Sequence, residues 1–138
     1  MSSQRDRHGR AAHDEEPTFW DYNERGVVLY RRGSYDLAII ELRKAVGAAK
    51  FPLAVLHVNL GAAYLRNGMY PEARNALEAG LHANPDDQAG HVLLGQALLA
   101  MGETEAARRE FYRAWQRGPD SSEGREAEGG FAACTESC

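Results

Sequence analysis

Two histidines and two cysteines are the side chains whose types could do chemistry. His57 and His91 stand 34 residues apart, and Cys134 and Cys138 stand four apart at the end of the chain. Imidazole nitrogens and thiolates ligate transition metals, but a structural zinc site takes four such groups, and two thiolates make only half of one. His82, His8 and His13 have no ligand partner nearby in sequence. No G-x-S-x-G elbow, Gly-rich phosphate loop or H-E-x-x-H pair occurs. The residues therefore offer no catalytic set, no metal site and no cofactor site, and the chain is not expected to be an enzyme. His57 and His91 read instead as packed, hydrogen-bonded histidines at the edge of a core.

The 138 residues carry 16 basic and 20 acidic side chains, a formal charge of −4. Nucleic-acid binding draws its affinity from Lys and Arg neutralising phosphates, so an acidic chain without a basic block argues against it. No apolar run near the N-terminus suits a secretory signal, and no window suits a membrane span. The expected compartment is cytoplasmic, and two cysteines placed where a disulfide could not brace a core fit a reducing one. Arginine outnumbers lysine by 14 to 2, which suggests a GC-rich bacterial genome.

What must position any functional side chain is a repeated element. Residues 19–52, 54–87 and 88–121 superimpose. Gly26, Gly61 and Gly95 form one column, Gly33, Gly68 and Gly102 a second, and Ala38, Ala73 and Ala107 a third. The first glycine sits inside a helical pattern, where it costs about 1 kcal/mol against Ala, so a neighbouring helix must pass too close for a side chain. The second ends one apolar stripe before another begins, the position after a helix that favours φ > 0. The alanine again implies close approach, with Leu42, Leu77 and Phe111 as the large partner one turn on. Thr18 with Asp21 resembles a capping box. Ser34 is a candidate cap for the second helix, Pro52 and Pro71 suit first turns, and Pro85-Asp86-Asp87 opens the fifth. Helices are predicted over 19–32, 35–48, 53–67, 71–83, 87–101 and 104–117. Residues 1–17 and 120–138 hold little to bury and read as disordered tails around a domain spanning 18–119.

This pattern resembles the tetratricopeptide repeat, a 34-residue helix–turn–helix unit. Its signature is fullest in the second copy, with Leu60-Gly61, Tyr64, Ala73, Leu77 and Pro85. The third follows with Leu94-Gly95, Leu98, Ala107, Phe111, Ala114 and Pro119. The first departs from it, with Arg25 in place of Leu and Lys50 in place of Pro. The resemblance implies an all-α, right-handed solenoid of three antiparallel helix pairs, six helices in all. It also implies a large, often aromatic residue in the column of Tyr22, His57 and His91.

In such a solenoid the first helix of each pair lines the concave side. The columns that would face it hold Trp20, Asn23, Glu24, Val27, Tyr30 and Arg31 in the first copy. Val55, Val58, Asn59, Ala62, Leu65 and Arg66 follow in the second, and Ala89, Val92, Leu93, Gln96, Leu99 and Ala100 in the third. These helices are apolar on both faces, more than the fold requires, and an exposed apolar patch marks an interaction site. The expected function is a non-catalytic adaptor holding a peptide segment or helix of another protein. Asn59 and Gln96 are suited to bond an extended backbone, and Arg31 and Arg66 to meet an acidic residue. Solvated helix ends would equally explain the arginines. The alternative is a dedicated chaperone of a secreted or aggregation-prone client, resembling the three-repeat chaperones of type III secretion. A carboxylate clamp, which many family members use, would need Lys, Asn and Arg in five columns. Here those columns hold Asn23, Val27, Asn59, Ala89 and Leu93, so only Asn59 matches and no cation is present. A heat-shock co-chaperone role is disfavoured. Finally, the last predicted helix ends in Gly118-Pro119 with Phe111, Ala114 and Trp115 on it and no further helix expected. Phe111 and Trp115 therefore mark a candidate homodimer contact, with folding back of Phe131-Ala-Ala-Cys134 as its competitor.

Overall fold

The computed structural model describes residues 16–136, which form seven helices and no strand. They are α1 (Phe19–Arg31), α2 (Tyr35–Ala48), α3 (Ala54–Arg66), α4 (Tyr70–Ala83), α5 (Gln88–Ala100), α6 (Thr104–Gln116) and α7 (Ser122–Glu136). The first six pair as α1 with α2, α3 with α4 and α5 with α6, and successive pairs stack. Residues 1–15 of the expected N-terminal tail lie outside the described residues, as do His8, His13 and Cys138.

The punctuation is local chemistry. Thr18 and Asp21 form the capping box: the Thr18 hydroxyl accepts the Asp21 N–H, and the Thr18 N–H donates to the Asp21 carboxylate at 2.7 Å. That pairing holds the Asp21 carboxyl below its usual range. Asp87 caps α5 by accepting the Gly90 N–H at 2.9 Å. Ser34, by contrast, makes no side-chain cap, and Pro52 stands before the Leu53 cap rather than inside α3. Gly33, Gly68 and Gly102 have φ of 81°, 77° and 80°. Each sits in the same pair of hydrogen bonds: the Gly33 N–H donates to the Tyr30 carbonyl and the Ser34 N–H to the Leu29 carbonyl, with the equivalent bonds after α3 and α5.

The other glycine column is a packing device. A Cβ on Gly61 would lie 2.5 Å from Leu77 Cγ, and one on Gly95 would lie 2.7 Å from the Phe111 ring. Ala38, Ala73 and Ala107 are fully buried beside them. Two clusters result, one centred on Leu42 and Leu60 and one on Leu77, Leu94 and Phe111, with Tyr64 packed against both. Gly61→Leu should cost roughly 1–3 kcal/mol, because overfilling a tight contact forces backbone shifts; a thermal melt followed by circular dichroism reads the loss.

The C-terminal expectation needs correction. Of residues 120–138, expected to be a tail, 122–136 form α7, which packs on α6 and α5. Its N-cap is Ser121, whose hydroxyl accepts the Gly124 N–H at 2.9 Å. Its docking stripe is Gly124, Ala127, Gly130 and Cys134. A Cβ on Gly124 would stand 2.0 Å from the Gly118 carbonyl oxygen, and one on Gly130 would stand 2.5 Å from the Phe111 ring. Ala127 and Cys134 are fully buried. The glycines that make the segment look unstructured are what let its backbone reach the domain.

Candidate partner-binding face

Helices α1, α3, α5 and α7 lie side by side, each touching the next. Trp20 and Val55 are 50% and 44% exposed on this side. Asn23, Val27, Tyr30, Asn59, Ala62, Leu65, Leu93, Gln96 and Leu99 are half-buried, and Arg31 and Arg66 are exposed. Two residues from the same columns are not surface at all. Val58 and Val92 are 7% and 2% exposed and belong to the core, Val58 lying where a Cβ on Gly80 would meet it at 2.9 Å. They sit at the flank of the stripe where the second helices press in, which spacing along one helix does not show. Glu24 is also displaced from the expected face: it lines a depression at the N-terminal end with Arg25, Val28 and Arg32.

The polar residues of this face pair across neighbouring helices. The Asn59 amide donates to the Asn23 carbonyl oxygen at 2.9 Å. Arg66 Nε donates to the Tyr30 hydroxyl at 3.2 Å, and the Gln96 amide donates to the Glu126 carboxylate at 2.7 Å. The Tyr30 bond, with the Glu126 charge contributing, raises the Arg66 guanidinium further above its usual range and keeps it cationic. Glu126 comes from α7, so reading that segment as a tail missed a residue of the face. Its carboxylate places a negative charge beside α5, while Arg66 on α3 places a positive one.

The histidines resolve into packing. His91 is buried: Nε2–H donates to the Pro85 carbonyl at 2.7 Å, and Nδ1 faces Glu110 Oε1 at 2.7 Å. Both ring nitrogens are spent on protein partners, which leaves neither for a metal. No group of three metal-ligating side chains occurs among the described residues. His57 is half-buried, and that burial lowers its pKa. Burial would raise the Glu110 carboxyl, but the His91 hydrogen bond and the Arg113 guanidinium outweigh it and hold it below 4.5. A carboxyl depressed in the folded state contributes stability that is present above its unfolded pKa and is lost as pH falls through its folded one. Stability should therefore drop on acidification below about pH 4.5. Glu110→Gln should cost roughly 1–3 kcal/mol at neutral pH and flatten the acid limb; melts across about pH 3–7 test both.

The candidate dimer end also changes character. Phe111 is 1% exposed, its ring held between Gly95 of α5 and Gly130 of α7. The uncovered end that made it a contact residue is occupied by α7. Trp115 stays 36% exposed, its ring centroid 6.0 Å from that of Tyr112, beside Phe131.

A tetratricopeptide repeat model matches residues 58–122, and the stacked helix pairs around it have the same architecture as solved tetratricopeptide domains. Residues 58–122 are thus a tetratricopeptide repeat segment. Heat shock protein STI1 of Saccharomyces cerevisiae is 28% identical over 94 residues, 68% of this chain, although the chain spans only 16% of that protein. The first tetratricopeptide domain of Spaghetti (RPAP3), bound to the HSP90 peptide SRMEEVD, aligns with TM-score 0.81 and 21% identity over 91% of this chain and 97% of its own. PcrH, in complex with the chaperone binding region of PopD, aligns with TM-score 0.78 and 18% identity over 86% and 91%. Of Asn23, Val27, Asn59, Ala89 and Leu93, the residues that the resemblance sets in the clamp columns, Asn59 donates its amide to Asn23. No described helix is long and apolar enough to cross a membrane.

Proposed function

We propose that the chain is a non-catalytic, cytoplasmic adaptor that holds a segment of another protein in the groove along α1, α3, α5 and α7. The observation that carries this reading is surplus apolar surface. Trp20, Val55, Leu65, Leu93 and Leu99 remain accessible, although Leu60, Leu94 and their neighbours already supply the core from the opposite side of the same helices. The Asn23–Asn59 and Gln96–Glu126 pairs offer donors and acceptors beside that stripe, and Arg66 offers a cation. Relatives that hold HSP90 peptides or a segment of PopD support protein capture as the use of this groove.

The test is peptide selection on the immobilised full chain, with Val55→Glu and Leu93→Glu as groove variants. Selected peptides should lose at least about tenfold in affinity to both, since an introduced carboxylate must be desolvated against an apolar ligand. Unchanged affinity would move the site elsewhere. The peptide SRMEEVD should not bind saturably, because the clamp columns lack cations, and tight binding would overturn that exclusion. The second reading, a chaperone for a secreted or aggregation-prone client, is favoured by the likeness to PcrH along nearly the whole chain. A homodimer through the Trp115–Tyr112 surface belongs to the same proposal and predicts that Trp115→Glu yields a monomer by sedimentation.

A further inference from the structure

Among the described residues, the N-terminal end of the stack carries an open face whose register is repeated twice inside the molecule. On α3, Leu60, Ala63 and Tyr64 share one buried cluster with Ala38, Ile39 and Leu42 of α2, the second helix of the preceding pair, against which α3 packs. At the end of that contact the Asn67 amide donates to the Asp36 carboxylate at 2.8 Å, in the first turn of α2. On α5 the same columns hold Leu94, Ala97 and Leu98, packed against α3 and α4. In α1 they hold Arg25, Val28, Leu29 and Arg32, and among the described residues no helix lies over them. They line an open depression of about 610 Å³, beside Leu37 and Ile40, which are 54% and 49% exposed. In α4 and α6 the columns of these two hold Glu72 and Asn75, then Ala106 and Arg109, so the fold does not call for apolar residues there.

We propose that this face docks an amphipathic helix of another protein, lying where the second helix of a preceding pair would lie. The stacking contacts specify its chemistry. It presents an apolar stripe at i, i+3 and i+7, as Ile39, Leu42 and Val46 of α2 do, and a carboxylate in its first turn. The carboxylate follows from the column of Asn67. Where Asn67 receives Asp36 by a neutral amide, the first copy has Arg32, an exposed cation with no ion-pair partner among the described residues. Arg25, at the other end, is 3.9 Å from Glu41. An incoming helix without a first-turn acid would set its positive N-terminal end against Arg32, and one with it completes an ion pair. Residues 1–15 do not supply such a stripe, since their only apolar side chains are Met1, Ala11 and Ala12.

The probe is a peptide of the α2 sequence, Tyr35–Ala48, stapled across positions 37 and 41 on the side opposite its stripe, with binding to the full chain read by fluorescence anisotropy. Saturable micromolar binding is expected, weakened about tenfold or more by Arg32→Glu and by Val28→Glu. A peptide carrying Asp36→Lys should fail on the native protein and recover on Arg32→Glu, while Leu93→Glu in the groove should leave binding unchanged. That last control separates this site from the groove. No binding up to about 1 mM, about −4 kcal/mol, or binding indifferent to Arg32 and Val28, would overturn the proposal. So would a dimer in sedimentation that Val28→Glu dissociates, because the occupant would then be a second copy. Both variants change exposed side chains, and circular dichroism checks that they fold.

Discussion

Truncation after Pro119 lowers the stability of the domain by roughly 2–4 kcal/mol and its melting temperature by about 10 °C. The loss follows from what α7 covers. Phe111 is 1% exposed with α7 in place, and re-exposing one face of a buried aromatic forfeits a large part of its roughly 1.5–3 kcal/mol of burial. The Ala127 and Cys134 contacts and the Ser121 cap are lost with it. Gly124→Val is the sharper version of the same experiment. Its Cβ would fall 2.0 Å from a backbone oxygen, which cannot rotate away as a side chain can, so the start of α7 must lift. Calorimetry of native, truncated and Gly124→Val chains should rank the native highest, with the point variant approaching the truncation. A truncated chain that melts with the native one would mean that α7 contributes nothing to the end of the stack.

Val58→Glu unfolds the protein, whereas Val55→Glu, one turn away, leaves it folded. Val58 is enclosed among the apolar side chains of the larger cluster. The expected cost is about 4 kcal/mol or more, a large share of a small domain's total stability. Val55 is 44% exposed and its substitution stays within about 0.5 kcal/mol. Far-ultraviolet circular dichroism with urea titration decides between these outcomes. A stable Val58→Glu chain would place that side chain on the surface after all.

Elements that depend on near neighbours in sequence are legible in the sequence alone. Three columns of Gly, Gly and Ala in register imply paired helices with a left-handed residue after each first helix, and Gly33, Gly68 and Gly102 take that conformation. The predicted ends of the six helices fall within one residue of those observed, because capping boxes, prolines and C-terminal glycines act over three or four residues. Ser34 shows the limit of such signals: the right residue type at the right place makes no cap bond, since its backbone, at φ −87° and ψ 68°, departs from the extended geometry that Thr18 takes in its cap.

The site was legible only in outline. The stripe that includes Trp20, Asn59 and Leu93 follows from helical spacing, but its width does not, and Val58 and Val92 fell on the wrong side of its edge. Where a face stops being surface depends on the angle at which the second helices pack, a property of pairs of helices rather than of one.

What the sequence by itself determined is therefore the repeat, the helices, their turns and the side of each first helix that faces its partner, all set by interactions spanning a few residues or by identical units stacking identically. The tertiary structure alone decided the fate of residues 122–136. Their stripe of Gly124, Ala127, Gly130 and Cys134 carries almost no apolar area, and in isolation its glycines disfavour a helix. It becomes a docking surface only because Phe111 and the Gly118-Pro119 backbone stand close enough to demand residues that small. The same placement brought Glu126 to Gln96 and, among the described residues, set no helix over Arg32, since a close approach between distant segments is written in neither of them separately.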